Sequence, residues 1–237
     1  MAKLKHLAGS GTSFSFLTET VLAERLIHTV HSRSTSAYLD TTSEWSIVVS
    51  GSNLKYKGDI IIGGTIDKVT FRNGDGDAIA QISGFSLNAL KFLDPVRTDG
   101  VRDMYAAIMK GRDTITGSDV RDFLIGGDGN DRINGGLGSD DIEGGRGNDT
   151  LIGGGGGDVF IFGPGYGKDV VTDFVATGIG HDRIGFYDPP GTITVGQRGT
   201  DTFIALADGS EMLLRNVTST DLSNIEHFIF GYEPTLD

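Results

Sequence analysis

The chain contains no cysteine, one tryptophan and five prolines among its 237 residues. Without cysteine, neither a disulfide nor a thiol can stabilise the fold or carry out chemistry. No apolar run approaches the ~20 residues that are needed to span a bilayer. The first residues include Lys3 and Lys5 but no apolar stretch of the kind found in a Sec-type signal peptide. These absences exclude a disulfide-linked scaffold and a transmembrane helix, and they leave packing or bound ions to stabilise the fold.

Recognisable catalytic motifs are also missing. None of the five histidines lies in the H-E-x-x-H pattern of zinc proteases, and the G-x-S-x-G pattern of esterases does not occur. His28 and His31 are three residues apart but have no evident third metal ligand, so they are interpreted as a surface pair. Asp140 and Asp141 are adjacent in a short predicted strand, where neighbouring side chains point to opposite faces, so they do not form a glycosidase pair.

Glycine, by contrast, is abundant, with 37 residues, and much of it lies in a nine-residue repeat. Residues 108–161 divide without insertion into six frames: IMKGRDTIT, GSDVRDFLI, GGDGNDRIN, GGLGSDDIE, GGRGNDTLI and GGGGGDVFI. Each frame has an Asp at place six and a large apolar residue at place eight. The aspartates are Asp113, Asp122, Asp131, Asp140, Asp149 and Asp158, and the apolar residues are Ile115, Leu124, Ile133, Ile142, Leu151 and Phe160. A flexible glycine linker has no such phase and is excluded.

The spacing suits a cation-binding turn that is followed by a short strand. Glycine reaches the backbone conformations that aim carbonyl groups inward, and Ca²⁺ takes six to eight oxygens from carbonyls and carboxylates. In the strand, the residue at place eight points into the core and its neighbours point outward. A nine-residue period of this form is typical of a calcium-binding parallel β-helix. If two frames make one coil, frames n and n+2 stack, and ions lie between the stacked turns.

The frames resemble the RTX repeats of proteins that Gram-negative type I secretion systems export. The resemblance implies that each ion is bound by the carbonyls of places one and three and the place-six Asp of one turn. The carbonyls of places two and four and the Asp of turn n+2 complete the site. The implied ligands of three sites are Gly126, Asp128 and Asp131 with Gly145, Gly147 and Asp149; Gly135, Leu137 and Asp140 with Gly154, Gly156 and Asp158; and Gly117, Asp119 and Asp122 with Gly136, Gly138 and Asp140.

A further site would use Asp113 with Gly127, Gly129 and Asp131, although frame one has Ile108 and Met109 where the pattern has glycine. The same places in the last two frames add Gly144, Arg146 and Gly153 to the implied ligands. Beyond residue 161 the repeat breaks, and the pattern G-x-D-x-U-x-D-F followed by H-D-R-I-x-F resembles the closing turns of RTX rolls. On that resemblance, Asp169, Asp173 and Asp182 would be additional calcium ligands.

The charge distribution agrees with a metal-binding role. The chain has a net charge of −12, and residues 111–188 carry 14 acidic against 6 basic residues. Without a counter-ion, that density opposes compaction through self-repulsion. The acidity is therefore interpreted as metal-ligand charge, and it argues against nucleic acid as a partner.

Outside the repeats, the sequence predicts mostly strands. Short β-rich runs separated mostly by glycine-containing turns lie at 46–50, 54–57, 59–62, 66–71 and 78–82, with 73–77 as a hairpin turn rather than an EF-hand loop. Helices are predicted at 87–93 and 99–110, and 20–30 is left open between helix and strand. Further strands are predicted at 192–195, 202–207 and 212–214, with a turn at Asp208-Gly209. Residues 51–90 resemble a module that precedes RTX repeats in bacterial secreted proteins of unassigned activity.

Together these patterns predict an all-β protein with one or two short helices. The expected parts are a β-rich module at 1–98, a capping helix at 99–110, a calcium-binding parallel β-roll at 111–190, and a β cap at 191–237. The segment 220–231 resembles the terminal segment of RTX proteins, which implies a type I secretion signal in that cap. Extracellular calcium modules bind at about 10⁻⁴–10⁻³ M, which implies folding outside the cell.

The expected function is that of a secreted, extracellular calcium-binding protein that attaches to a surface, matrix or polysaccharide partner. Two alternatives stay open. One is an extracellular polysaccharide enzyme with an unrecognised site in the N-terminal half. The other is a roll that serves only for export and folding.

Overall fold

The protein is described by a computed structural model that covers residues 3–6, 27–29, 36–42, 45–57, 60–73, 78–89, 108–188, 190–222 and 225–232. These residues form β-strands with only single helical turns between them, which confirms the predicted all-β class. The chain divides into two compact units. One contains the described residues up to Lys110, and the other contains the described residues from Gly111 onward.

The first unit is an antiparallel sheet with the strand order β1-β6-β5-β4-β3-β2. Its strands are β1 (Lys3–His6), β2 (Ile27–Thr29), β3 (Ser36–Thr42), β4 (Trp45–Lys57), β5 (Ile60–Asn73) and β6 (Ala78–Asn88). Alternate apolar residues of these strands are buried, among them Val49, Val69, Phe71 and Ile82. The predicted hairpin is confirmed, because β5 and β6 pair on either side of residues 74–77, with Arg72 opposite Ala78.

Three predictions in this unit need correction. The predicted turns near Gly51 and Gly64 are wrong, because β4 and β5 pass through these glycines with register shifts. Gly64 has φ +110°, and a Cβ on Gly51 would overlap the Thr65 carbonyl, so both glycines allow irregular pairing. The predicted helix at 87–93 is wrong at its start, because Leu87 and Asn88 belong to β6 and pair with β5.

Two other helix predictions fall largely outside the described residues. Within 20–30, residues 27–29 form strand β2, and the rest of that segment lies outside the described residues. Of the predicted capping helix at 99–110, only residues 108–110 are described. Ile108 is helical and buried there, and the remainder of the helix stays a prediction.

The second unit contains two parallel sheets that face each other across an apolar core. The first has the strand order β17-β13-β11-β9-β7, and the second has the order β18-β14-β12-β10-β8. Their strands are β7 (Thr114–Thr116), β8 (Phe123–Asp128), β9 (Arg132–Leu137), β10 (Asp141–Arg146), β11 (Thr150–Gly155), β12 (Val159–Ile161), β13 (Lys168–Val171), β14 (Arg183–Phe186), β17 (Glu211–Leu214) and β18 (Phe228–Phe230).

The strand register places every second frame on top of the one before it. In the first sheet Ile115, Ile133, Leu151 and Val171 lie opposite one another. In the second sheet Leu124, Ile142, Phe160 and Ile184 do the same. All eight side chains are wholly buried. The geometry therefore confirms the predicted parallel β-roll, in which place eight faces the core and two frames make one coil.

Antiparallel strands extend the first sheet beyond the roll. β15 (Ile193–Arg198) pairs with β16 (Asp201–Leu206), and β16 pairs with β17. The three predicted C-terminal strands and the Asp208-Gly209 turn are confirmed, with Gly209 at φ +93°. The described residues contain no helix long and apolar enough to cross a membrane.

Candidate calcium sites

The place-six aspartates form two ladders, one along each edge of the roll. In each ladder the backbone N–H of one Asp donates to Oδ1 of the Asp in the next stacked turn. One ladder joins Asp113 to Asp131 at 2.7 Å, Asp131 to Asp149 at 2.7 Å and Asp149 to Asp169 at 3.0 Å. The other joins Asp122 to Asp140 at 2.8 Å, Asp140 to Asp158 at 2.9 Å and Asp158 to Asp182 at 2.9 Å. The structure thus places the six aspartates of the unbroken repeat in the same two ladders as Asp169 and Asp182, which were also predicted as ligands.

The second carboxylate oxygen of five of these residues is buried without a hydrogen bond. Within the described part of the chain, Oδ2 of Asp131, Asp140, Asp149, Asp158 and Asp169 is buried and has no hydrogen-bond partner. A buried carboxylate oxygen without a partner is costly, because its hydration is lost and nothing replaces it. A cation between the turns would supply the missing interaction.

Backbone carbonyls approach the same points as these oxygens. A Cβ built on Gly126 would lie 2.7 Å from Oδ2 of Asp131 and would also overlap the carbonyl oxygen of Gly144 in the stacked turn. Gly135 has the same relation to Asp140 and Gly153. At Gly126 and Gly135, any side chain would therefore fill the space between the carboxylate and the carbonyl. Carboxylate plus carbonyl oxygens are the ligands that Ca²⁺ prefers.

The glycines at places two and four are required for a different reason. They have positive φ values, which other residues rarely adopt. These residues are Gly127, Gly129, Gly136, Gly138, Gly145, Gly147, Gly154 and Gly156, with φ between 89° and 152°. Side chains at place three point away from the roll: Asp119, Asp128 and Arg146 are exposed, and Leu137 is 56% exposed. Place three can therefore contribute only its carbonyl to the interior of the turn.

Frame two departs from this geometry. It has Ser118 and Val120 at places two and four, and neither has a positive φ. The backbone N–H and the hydroxyl of Ser118 donate to Oδ2 of Asp122 at 2.6 and 2.8 Å. A cation that uses Gly117, Asp119 and Asp122 must therefore share the Asp122 carboxylate with Ser118.

Burial changes the acidity of the ladder residues. Desolvation raises the pKa of Asp131 to about 7 and that of Asp140 to about 8, although the N–H donors of Asp113 and Asp122 oppose the rise. Burial also raises the pKa of Asp182 to about 6, and it raises the pKa values of Asp149, Asp158 and Asp169. Neighbouring ladder carboxylates add to the rise for Asp131, Asp140, Asp169 and Asp182, and the charges of Asp173 and Asp141 add to it for Asp158. At neutral pH, Asp131 and Asp140 therefore favour either a proton or a metal ion.

The structure reveals two repeat frames that the sequence analysis did not identify. Frame seven is PGYGKDVVT at 164–172, and frame eight is TGIGHDRIG at 177–185. They place Asp169 and Asp182 at place six and glycines with positive φ at places two and four. These glycines are Gly165, Gly167, Gly178 and Gly180, with φ from 74° to 101°. Insertions at 162–163 and 173–176 break the nine-residue period. A search for G-x-G-x-D-x-U at every position, and not only in phase with the first six frames, finds both frames.

Asp173 lies outside the ladders. Its two carboxylate oxygens accept hydrogen bonds from the backbone amides of Gly153 and Gly154, at 3.0 and 2.9 Å. Its negative charge contributes to the raised pKa values of Asp158 and Asp182, so the three carboxylates are neighbours. Asp173 therefore supports the turn of frame six from the side of the inserted segment.

The first ladder ends at Asp169. In the next strand of the sheet, β17, Met212 lies opposite Asp169, at the position where another aspartate would continue the ladder. Asp208 instead accepts a hydrogen bond from the Gly165 amide at 2.6 Å. Among the described residues, no three His, Cys, Asp or Glu side chains converge on one point. Backbone carbonyls must therefore supply much of any metal coordination, as the glycine geometry implies.

A comparison with protein-family models supports the assignment of the repeats. The family model described as "RTX calcium-binding nonapeptide repeat (4 copies)" matches residues 110–142 and 135–168. Residues 110–168 are RTX repeats. RTX repeats bind Ca²⁺ and are themselves a non-catalytic module.

Solved structures and curated proteins were compared as well. The R3 subunit of the mannuronan C5-epimerase AlgE6 from Azotobacter vinelandii is 25% identical over 52% of this chain and 80% of its own, with a TM-score of 0.38. The R2 subunit of the same enzyme is 25% identical over 52% of this chain and 95% of its own, with a TM-score of 0.35. No curated protein matches the chain.

Proposed function

We propose that residues 111–190 fold around several Ca²⁺ ions, which lie between stacked turns along both edges of the roll. The buried, partnerless Oδ2 atoms of five ladder aspartates carry this proposal. Each ion would be bound by the carbonyls of places one and three and the Asp of one turn, and by the carbonyls of places two and four and the Asp of the turn above. The sites implied by the sequence keep their residue assignments in this proposal.

The newly identified frames extend the proposal by one site on each edge. The first would combine Gly144, Arg146 and Asp149 with Gly165, Gly167 and Asp169. The second would combine Gly153, Gly155 and Asp158 with Gly178, Gly180 and Asp182. Both new sets have the place-six hydrogen bond and the positive-φ glycines of the central repeats. Asp173 would act on the second of these sites by fixing the amides of Gly153 and Gly154.

We further propose that the protein works outside the cell, after type I secretion, as a binding or matrix-associated protein. RTX repeats are typical of secreted proteins. Extracellular calcium modules bind at about 10⁻⁴–10⁻³ M, a concentration that the cytosol does not reach. The roll would then fold only after export, with residues 1–98 as a separate β module, 99–110 as the helix that caps the roll and 191–237 as the C-terminal β cap. The module would contact an extracellular surface, matrix or polysaccharide.

We favour binding over catalysis because the buried carboxylates of the described residues already form hydrogen bonds or ion pairs within the roll. The buried ones are the ladder aspartates and Asp141, which forms an ion pair with Arg121 at 2.8 Å. A glycosidase-type reaction needs two carboxyl groups that flank a substrate bond. Turnover of an extracellular polysaccharide by the full chain would refute this part of the proposal.

The decisive experiment is a calcium titration of EDTA-stripped full chain, followed by far-UV circular dichroism and limited proteolysis together, with Mg²⁺ as the control ion. We expect calcium, but not magnesium, to increase β structure and to protect residues 111–190, because Mg²⁺ demands a tighter octahedral site. Unchanged spectra and unchanged cleavage would refute calcium-dependent folding. Protection of the N-terminal fragment without calcium would support an autonomous module, and its complete digestion would refute one.

A further inference from the structure

Two carboxylates face outward from β10 yet are not free in solvent. Asp141 and Glu143 flank the core residue Ile142, and Asp141 is only 2% exposed. Three tyrosine hydroxyls donate to them. Tyr166 and Tyr187 each donate to Glu143 at 2.6 Å, and Tyr232 donates to Oδ1 of Asp141. The calcium sites do not use this cluster, which lies on the outer face of the second sheet.

Tyr232 follows β18, which is the edge strand of that sheet, and its side chain extends from there to Asp141 on β10. It belongs to the closing segment, defined here as residues 225–232, which contains β18. Its backbone N–H donates to the Phe186 carbonyl at 2.8 Å, and its ring lies 3.1 Å from the position of a Cβ on Gly185. Because β12 and β14 lie between β10 and β18, the tyrosine spans several strands. Val159, which would otherwise face outward from β12, is 4% exposed.

Asp141 also contacts Arg121, which is the residue next to the ladder aspartate Asp122. Oδ2 of Asp141 accepts a hydrogen bond from Arg121 Nη2 at 2.8 Å. Arg121 immediately precedes Asp122, and Asp141 immediately follows Asp140, and the Asp122 amide donates to Asp140 at 2.8 Å. Arg121 and Asp141 therefore meet only when frames two and four are stacked. Before the two frames stack, Arg121 and Asp141 are apart, and Tyr232 cannot dock onto the pair.

We propose that Arg121 and Asp141 form a calcium-dependent seat for the closing segment. Calcium between the turns of frames two and four would bring the seat together, and Tyr232 would then dock onto it. This inference rests on the calcium sites proposed above. The closing segment would be released from the roll at low calcium and docked on it when the ions are bound.

Hydrogen–deuterium exchange on the full chain tests this proposal, with Tyr232→Phe as the variant and Tyr166→Phe as the matched control. Both changes remove one hydroxyl that donates to a carboxylate of β10, but only Tyr232 belongs to the closing segment. In saturating calcium we expect Tyr232→Phe to speed exchange in residues 228–232 by about tenfold or more, since a hydrogen bond to a charged group is lost. Tyr166→Phe should leave exchange in that segment unchanged.

Two comparisons separate the possible outcomes. If residues 228–232 exchange equally with calcium and with EDTA while the amides of Asp131 and Asp140 are protected only by calcium, the seat is refuted and the calcium sites stand. If calcium protects neither region, both proposals fail. Equal exchange in Tyr232→Phe and the wild type also refutes the seat. Should Tyr232→Phe not fold, Arg121→Gln decides: it must speed exchange of the closing segment in calcium, and wild-type exchange would refute the seat.

Discussion

At the scale of single residues, an aspartate inside a ladder, such as Asp131, uses its two carboxylate oxygens for different interactions. Oδ1 of Asp131 accepts the Asp113 amide, and Oδ2 is left buried for a cation. Asp128, three residues earlier, is exposed and can offer a site only its carbonyl. The two aspartates look alike in the repeat GGDGND, but the fold gives them different chemistry.

This difference predicts unequal effects of the same substitution. Asp131→Asn should lower calcium affinity by about tenfold or more, because it removes a negative ligand shared by the sites above and below its turn. Asp128→Asn should leave affinity close to that of the wild type, since its carbonyl is retained. Isothermal titration calorimetry of both variants measures the contrast. Equal affinities would contradict the register assigned to the repeats.

The raised pKa values predict how the calcium-free roll responds to pH. Burial raises the pKa of Asp131 to about 7 and that of Asp140 to about 8, above the ~3.9 of an unfolded aspartate. The folded state therefore binds these protons more tightly than the unfolded state. The resulting stability is fully present below about pH 4 and is lost as pH rises through the folded pKa values.

In EDTA, the far-UV circular dichroism signal for β structure should accordingly be stronger at about pH 5 than at about pH 8. In the presence of calcium the trend should reverse, because protons compete with the ion for the same oxygens, so the calcium midpoint should rise on acidification. A calcium-free spectrum that strengthens with rising pH would contradict the assignment of these carboxyls as buried.

At the scale of elements, glycine is required in the turns for two different reasons, a positive φ angle and a lack of space for a side chain. Gly145 and Gly209 have φ values of 89° and 93°. A Cβ on Gly145 would overlap the carbonyl of Gly127 in the stacked turn, whereas a Cβ on Gly209 would have no heavy atom within 4 Å. The backbone strain of a side chain is thus similar at both sites, but only Gly145 also excludes a side chain sterically.

Substitution by alanine should therefore affect the two turns differently. Gly209→Ala should cost about 1–3 kcal/mol from strain alone. Gly145→Ala should cost more and should also weaken calcium binding, because the stacked turns must move apart. Urea unfolding in saturating calcium measures the first effect, and calcium titration measures the second. Equal losses of stability would indicate that backbone conformation alone selects glycine in the repeat.

The same elements show what the sequence could predict. The unbroken nine-residue period predicted the stacking of frames, the core residues at place eight and the aspartates at place six. It could do so because each turn repeats the same local sequence and therefore the same backbone conformation. Frames seven and eight were missed since inserted segments shift the phase, although Gly178, Gly180 and Asp182 keep the spacing. The strand ending at Asn88 was also missed, because its pairing with Thr65 is a tertiary contact that local propensity does not encode.

At the scale of the whole molecule, charge is distributed very unequally. Residues 111–237 carry 21 acidic against 8 basic residues, whereas residues 1–110 carry 11 against 12. Two rows of aspartate inside a narrow roll repel each other unless cations lie between them. Each bound ion also orders the turns that complete the next site, because neighbouring sites on one edge share an aspartate.

Calcium binding should therefore be cooperative, with a Hill coefficient above one and a simultaneous change in circular dichroism. Asp140→Asn, in the middle of one ladder, should reduce that cooperativity more than Asp182→Asn near its end. The measurement is a titration with a calcium-selective electrode in parallel with spectroscopy. A coefficient of one without a spectral change would show that the sites are independent and already formed.

The hydrogen bonds between the ladder aspartates all run in one direction, with each amide donating to the carboxylate of the turn that follows it. Each ladder of aspartates therefore has a direction, and its two ends are chemically different. Removal of frames from the N-terminal side would leave a carboxylate oxygen without its amide donor, and removal from the C-terminal side would leave an amide without its carboxylate acceptor. The two ends of such a roll therefore need different closing groups, a hydrogen-bond donor at the N-terminal end and an acceptor at the C-terminal end.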